Sequence, residues 1–415
     1  MSDIIVHKFG GSCLRDSDDL DRIAEIITSF EGRPIVVVSA LWGMTDRLIR
    51  AANDSRYAGR LVRDLKSQHL RFAPGLDQGP FKILFNKVMD GISSELVHLS
   101  TSGSSLRSRN LILAAGERLS ALAVAHRLRE LGLDAHPVGA EDIGLKLKGT
   151  GSACHIDIER SDKSLDRSVL VGVPVLTGWF GEGEDGALAL LSRGGSDHSA
   201  AAFANLMGAA RLILWKDVDG IKRLNPRWGI ETDSVSYLGY GEAAELSKHG
   251  TPVIHPATVK PLISDGIPLE IRNINSDASV APTMIGPDIS DSGFKAIGCQ
   301  PGVVIITSNT PLNSELLTRL EEEDVTVWSL TSTPDQMRII IPSHYLHLID
   351  DLIDGDIEYK TAILSIIGTN EFTFPIAHEI ISTNEYGMRI IIETDDLTAS
   401  LEGLYQSLFS RQDCK

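Results

Sequence analysis

Cysteine is scarce in this chain of 415 residues: Cys13, Cys154, Cys299 and Cys414 stand far apart. They form no C-x-x-C pair and no metal-ligand spacing, which excludes a disulfide framework and a cysteine-held zinc site and implies free thiols in a reducing compartment. Long apolar runs are missing too. Nothing approaches the roughly 20 residues of a membrane span, and the start "MSDIIVHKFGG" lacks the basic and apolar regions of a signal peptide. Both absences place the expected residence in the cytoplasm, away from any membrane. Excess positive charge is the third lack. A net charge of -17 argues against a nucleic-acid partner, which needs a basic face. A local positive pocket for phosphates remains compatible, because the field in a cleft depends on its own lining. With 42% hydrophobic and 23% charged residues and no low-complexity tract, the composition is that of an ordinary globular chain, long enough for two or three domains.

The first 290 or so residues alternate short apolar runs with amphipathic stretches. "DIIVHKF" and the β-branched "RPIVVVSA" read as strands, the latter buried on both faces. Between them "SDDLDRIAEIITSF" keeps helical spacing through Leu20, Ile23, Ile26, Ile27 and Phe30, with Ser17 as the expected N-cap. "GMTDRLIRAAND" opens another helix, residues 55–105 form a more polar helical excursion, and "NLILAAGERLSALAVAHRLRELGL" is one long helix. "VLVGVPVLTGWF" and "ARLILWKDV" follow as strands, with the helix "SDHSAAAFANLMG" between them. Such alternation predicts an α/β sandwich around a mainly parallel sheet. "GPDISDSGF" is a turn-rich linker, after which the pattern changes to two small α+β units with weak internal similarity. The expected division is 1–288 and 289–415, and the second part carries no obvious catalytic cluster.

Two segments have the same build. "VHKFGGSC" places Lys8 beside Gly10-Gly11 and Ser12 after the first strand; "SRGGSDHSA" places Arg193 beside Gly194-Gly195, then Ser196 and Asp197 where a helix begins. Paired glycines let backbone N–H groups approach an anion, a following helix adds its positive end, and the cation neutralises charge. Arginine in addition grips a carboxylate through a bidentate fork. Read alone, each segment also fits an ordinary strand-to-helix turn, with Asp197 as a cap; two such turns at the carboxyl edge of one sheet point to a shared ligand. "WKDVDGIKRLNPR" adds Lys216, Asp217, Asp219, Gly220 and Arg227, which read equally as a tight turn and as a polyphosphate loop. Walker A, a suitably placed G-x-G-x-x-G and the calcium-loop pattern are all missing. Ser39 and Thr45 flank the Gly43 turn after the second strand, Glu117 and Arg118 lie on the long helix, and His255 precedes a proline as a structural histidine.

Taken in order, these segments resemble the aspartate kinases of the amino acid kinase family. "KFGGSCL" is similar to K-F-G-G-T-S-[LV], "VVVSALWGMTDRL" to V-V-S-A-x-x-G-x-T-[DN]-x-L, and "GERLSA" to G-E-x-L-S-A. "SRGGSDHSA" resembles G-R-G-G-S-D-x-[ST]-A, "WKDVDGIKRLNPR" resembles W-T-D-V-D-G-[IV]-x-x-x-D-P-R, and "HGTPVIHPATVKPL" resembles G-A-K-V-[IL]-H-P-x-[ST]-x-x-P. The resemblance implies an amino acid kinase-type αβα sandwich followed by two ACT-like domains. It also implies transfer of the ATP γ-phosphoryl group, with Mg2+, to the β-carboxylate of L-aspartate. Lys8 would stabilise the transferring phosphoryl group with the Gly10-Gly11 amides, Ser12 lying beside the phosphate cradle, and Asp197 would hold that cation. Arg193 would bind the substrate α-carboxylate, Glu117 its ammonium, and Ser39, Thr45, Gly194 and Ser196 would line its pocket. Lys216, Asp217, Asp219, Gly220 and Arg227 would receive the nucleotide, with the metal held by phosphates and water and no protein metal site. A homodimer through the C-terminal region and an amino-acid effector are further implications. The chain departs from the pattern where Lys216 replaces Thr and Pro252 replaces Lys, and relocation of that lysine charge to 216 is one expectation. Two other readings stand beside this one: the same chemistry on another amino acid or carboxylate, and a non-catalytic amino-acid-binding subunit.

Overall fold

A computed structural model describes residues 3–103, 105–149, 154–192, 194–248, 254–277, 279–289, 293–323, 325–369 and 376–409. In chain order the elements begin with β1 (Ile4–Phe9), α1 (Ser17–Ser29), β2 (Arg33–Val38), α2 (Met44–Asn53), α3 (Ser55–Phe72), α4 (Lys82–Ser102) and α5 (Leu106–Glu130). Next come β3 (Ala135–Val138), β4 (Leu147–Lys148), β5 (His155–Ile156), α6 (Ile158–Ser164), β6 (Val173–Thr177), β7 (Phe180–Glu182), β8 (Leu188–Leu190), α7 (Gly195–Leu206) and β9 (Arg211–Lys216). They are followed by β10 (Tyr237–Gly239), α8 (Tyr240–Ser247), α9 (Pro256–Ile263), β11 (Leu269–Asn273) and β12 (Thr283–Gly286). The remainder is β13 (Gly293–Ser308), α10 (Ser314–Glu322), β14 (Ser329–Ser332), β15 (Met337–Pro342), β16 (Gly355–Thr369), β17 (His378–Asn384), β18 (Gly387–Ile392) and α11 (Leu397–Phe409).

Two compact units result, one of residues 1–220 and 257–286, the other of 221–256 and 287–415. The segment 221–256 therefore packs with the C-terminal residues, so the units are not contiguous stretches of chain.

In the first unit the strands run β12-β11-β9-β1-β2-β6-β3, parallel except for β12. Parallel strands need helical crossovers that cover both faces, which is why β1 and β2 are buried almost throughout. One face packs Phe9, Val36, Val38, Ile213 and Trp215 against α1 and α5. The other receives α7. Because β2 and β9 flank β1 on opposite sides, the chain reverses its winding there and opens a crevice at the carboxyl ends of β1 and β9. The N-cap of α1 is Asp16 rather than Ser17: its carboxylate accepts the Asp18 N–H, while Asp19 accepts the Asp16 N–H at 3.2 Å. This reciprocal pair satisfies two helix-end donors, which a lone serine hydroxyl does not.

The second unit contains an antiparallel sheet in the order β14-β15-β13-β16-β18-β17. Its two α+β lobes are joined by the long strands β13 and β16. Leu316 and Leu320 of α10 pack on Val304, Ile306 and Ile339, whereas Leu401, Leu404 and Leu408 of α11 pack on Ile297, Leu364 and Ile390. β17 is a strand that the sequence does not announce, because "HEIISTN" is half-exposed to exposed along its whole length and shows no apolar alternation. No described helix is long and apolar enough to cross a membrane.

Candidate active site

Strand periodicity decides what meets at the crevice. Lys8, next to last in β1, and Lys216, last in β9, point to the α7 face, while their neighbours Phe9 and Trp215 point to the other. Asp197 sits in the first turn of α7. Lys8 Nζ lies 2.5 Å from Asp197 Oδ1 as an ion pair, and Lys216 Nζ donates to Oδ2 at 2.7 Å. Lys8 is 4% exposed and Asp197 5%. Burial favours the neutral acid of Asp197, yet Lys216 and Lys8 outweigh it and hold the carboxyl below the usual carboxylate range. Burial pulls the Lys8 ammonium below its ordinary value, with Asp197 opposing that shift and Lys216 adding to it. Two cations on one carboxylate leave a net positive charge, ready for an anion.

The backbone around this cluster is shaped for close approach. Gly10 donates its N–H to the Trp215 carbonyl at 3.4 Å, and Gly11 to Cys13, Ser12 included, form a single 3-10 turn. A Cβ on Gly10 would sit 3.5 Å from Lys8 Nζ, and one on Gly11 3.0 Å from the Ala40 carbonyl oxygen. A side chain there would fill the space beside the amine that a phosphoryl oxygen needs. This is a fit to phosphate chemistry. Gly194 caps α7 with φ +77°, a left-handed conformation that favours glycine. Ser196 follows in the first turn, packed so closely under Gly178 that a Cβ on Gly178 would lie 2.7 Å from its own Cβ.

On the acceptor side, Ser39 donates its N–H to Phe9 at 3.2 Å, and Thr45 lies half-buried in the first turn of α2. Glu117 of α5 is 2% exposed. Its Oε1 accepts the Ala40 N–H at 3.3 Å, but its Oε2 is buried without a partner. Burial pushes its carboxyl up to about 8, against the Ala40 N–H and the nearby charge of Lys8. A buried, half-satisfied carboxyl suits an ammonium ligand. Arg193 and Pro252 lie outside the described residues. Of the nucleotide-side candidates, Asp217 pairs with Arg15 at 2.7 Å, and Asp219 accepts from Asn273 at 2.8 Å and Ser276 at 2.5 Å. Gly220 turns with φ +73° against Thr283. Arg227 belongs to the second unit, where it donates to the Cys299 carbonyl at 2.8 Å and stacks on Trp228.

Sequence reasoning missed three residues near this site. The Arg15 guanidinium stacks 4.6 Å over the exposed Trp42 ring while it pairs with Asp217, linking the turns after β1, β2 and β9. Trp179 has φ +72°, rare for a bulky residue. It is pinned by Ser199, which accepts its N–H at 3.1 Å, and by Leu191, whose carbonyl accepts the indole N–H at 2.8 Å. Only the flanking Gly178 and the Gly195 contact carry a trace of this in the sequence. Among the described residues no group of three or more His, Cys, Asp or Glu side chains could hold a metal ion.

The profile of the amino acid kinase family matches residues 3–273. The chain belongs to the amino acid kinase family. Among curated relatives of this family member, Arabidopsis thaliana chloroplastic aspartokinase 2 is 30% identical over 345 residues, which are 79% of this chain and 59% of that protein. Escherichia coli K12 lysine-sensitive aspartokinase 3 is 28% identical over 314 residues, 74% of this chain and 70% of that one. The chain thus spans less than two thirds of the plant protein's length. Among solved structures, E. coli aspartokinase III in complex with aspartate and ADP (R-state) superposes with a TM-score of 0.82 at 21% identity, covering 98% of this chain and 100% of that chain. Clostridium acetobutylicum aspartate kinase does so with 0.77 at 20% identity, covering 97% and 100%. These likenesses show the fold: an amino acid kinase-type αβα sandwich followed by an ACT-like α+β region.

Proposed function

We propose that the chain is an ATP-dependent aspartate kinase, forming 4-phospho-L-aspartate from the β-carboxylate of L-aspartate. The observation that carries this reading is the Lys8–Asp197–Lys216 cluster at the crevice beside Gly10-Gly11. A β-carboxylate is ionised at neutral pH, so it attacks without a general base. One of its oxygens bonds to the γ-phosphorus as the bond from that phosphorus to the ADP oxygen breaks, and ADP leaves with the electron pair. What the protein supplies is alignment and charge neutralisation. Lys8 meets the transferring phosphoryl group, Asp197 fixes the direction of its amine, and Lys216 provides a second positive charge from the neighbouring strand. Glu117 takes the substrate ammonium, Arg193 its α-carboxylate, and Ser39, Thr45, Gly194 and Ser196 enclose it. Asp217, Asp219 and Gly220 serve the nucleotide side. Mg2+ supplies neutralisation of phosphate charge when bound, held by the phosphates and water.

The E. coli relative whose structure holds aspartate and ADP, and the one described with lysine and aspartate in a T-state, support the substrate pair and an amino-acid effector. A cytoplasmic homodimer formed through the second unit completes the reading. Its support is the edge strand β17 with exposed Ile380 and the exposed Ile357 and Tyr359 of β16. The test is ADP release across a panel of amino acids and small carboxylates, with and without lysine and threonine. Turnover with L-aspartate that disappears in Lys8→Ala is expected. Release with a different acceptor and none with aspartate overturns the substrate assignment, and no release with any acceptor overturns the enzyme.

A further inference from the structure

The first unit holds a second cavity, of about 430 Å3, between α4, α5 and the end of β3. Its volume falls in the range of small-molecule sites, roughly 300–1,000 Å3. Val88, Ile92, Leu122 and Val138 form an apolar wall, whereas Arg118, Asp142 and Thr177 form a polar end beside Gly139. Arg118 is held there by an ion pair to Glu141 and by stacking 5.2 Å over the Phe180 ring. Asp142 lines this end of the cavity, where a Cβ on Gly139 would touch its carboxylate, while Glu141, the partner of Arg118, is not part of the lining. Glu141 gives one oxygen to Arg118, and its other oxygen, Oε2, is buried without a hydrogen-bond partner. Thr177 accepts the Ala140 N–H at 2.8 Å, which leaves its O–H proton to donate. The Arg118 guanidinium, the Asp142 carboxylate and the Thr177 hydroxyl thus stand at one end of a largely apolar pocket, which Lys87 and Glu95 also line.

That pairing matches one chemistry. A zwitterion presents a carboxylate to Arg118 and an ammonium to Asp142, and an aliphatic or aromatic side chain replaces water along the wall. We propose that this cavity is a binding site for an α-amino acid with an apolar side chain, separate from the Lys8 cluster. Arg118 follows Glu117 on α5, and Thr177 precedes the Gly178–Trp179 turn. A ligand here therefore touches two elements that also shape the candidate acceptor pocket. Binding does not depend on the kinase reading; only an effect on turnover rests on it.

Calorimetry on the full chain with leucine, isoleucine, methionine and phenylalanine tests the site, with 4-methylpentanoate and 3-methylbutylamine as probes lacking one charge. Saturable binding of at least one amino acid is expected, weakened about tenfold or more for either truncated probe and in Arg118→Gln. Asp142→Asn, at an exposed residue, gives the same loss without disturbing the core. Gly91→Phe should abolish binding while aspartate-dependent turnover stays at its basal level: a Cβ on Gly91 meets nothing within 4 Å, so the ring enters the cavity without a backbone clash. Binding should persist in Lys8→Ala and in saturating aspartate. No saturable binding by any of the four, or binding unchanged in both Gly91→Phe and Asp142→Asn, overturns the proposal. So does competition by aspartate, which would put the ligand at the Lys8 cluster instead. A chain that releases no ADP yet passes these tests leaves this site standing and removes only the kinase reading.

Discussion

One residue along β1 separates two buried worlds. Lys8, on the α7 face, shares with Lys216 the Asp197 carboxylate, which the two lysines hold below the usual carboxylate range. His7, on the opposite face, is fully buried among aromatic rings, packed edge-on to Phe30 and accepting the Trp215 indole N–H at 3.3 Å. Burial, aided by Arg211, pushes the His7 imidazole down to about 3, so it stays neutral. Both side chains are out of water in the same strand. The difference teaches that burial alone does not decide ionisation; a partner of opposite charge does. It also separates two ion clusters: the α7 face sets Lys8 and Lys216 on Asp197 beside Gly10-Gly11, whereas the His7 face sets Arg211 and Arg272 on Glu270.

The sharpest break of this comparison is Asp197→Asn, which strips the counter-charge from the buried Lys8 and the partly buried Lys216. A stability loss of about 3–5 kcal/mol in denaturant titration is expected, together with loss of turnover. The Asp197 carboxyl is depressed in the folded protein, so its contribution is present above the ordinary value of 3.8 and disappears as pH falls through the lower folded value. The variant should lack that acid-side slope. Lys8→Ala comes next, lowering turnover by about 10³-fold with little change in unfolding, since Asp197 keeps Lys216. Lys216→Thr restores the residue type of the family pattern and should raise the apparent KM for ATP about tenfold if its charge serves phosphate. An unchanged KM would restrict Lys216 to holding Asp197.

Glu117→Gln probes a carboxyl with burial but no full partner. The folded protein keeps a proton that the unfolded chain releases between the ordinary 4.5 and about 8. Wild-type stability should therefore decline with rising pH across that window and the variant should decline less. An ammonium ligand favours the ionised form, so acceptor binding near pH 7 should release a proton, read by calorimetry in buffers of different ionisation enthalpy. The smallest effect belongs to His7→Phe, about 1 kcal/mol for one neutral hydrogen bond lost by Trp215, with turnover unchanged.

Much of this was legible beforehand where the signal is local. The alternation of β-branched runs with helical spacing marks the parallel sheet, and Lys8, Gly10-Gly11 and Gly194 stand out because two glycine-pair turns of the same build occur, although each alone also fits an ordinary strand-to-helix turn. The Asp16 cap was misplaced by one residue, since a string of Ser and Asp offers several caps and only the reciprocal Asp19 contact selects among them. β17 was illegible because an edge strand needs no apolar face. Trp179 was illegible because its conformation is imposed by Ser199 and Leu191, twenty and twelve residues away in the chain.

By itself the sequence determined which residues could carry charge and which strands would be buried, because strand and helix periods act within a few residues. Only the tertiary structure decided that Lys8, Asp197 and Lys216 share one carboxylate, that Glu117 is left half-satisfied, and that residues 221–256 pack with the C-terminal unit. Those outcomes depend on β1 and β9 becoming neighbours across some two hundred residues, and a pairing of that range leaves no period in the chain to be read.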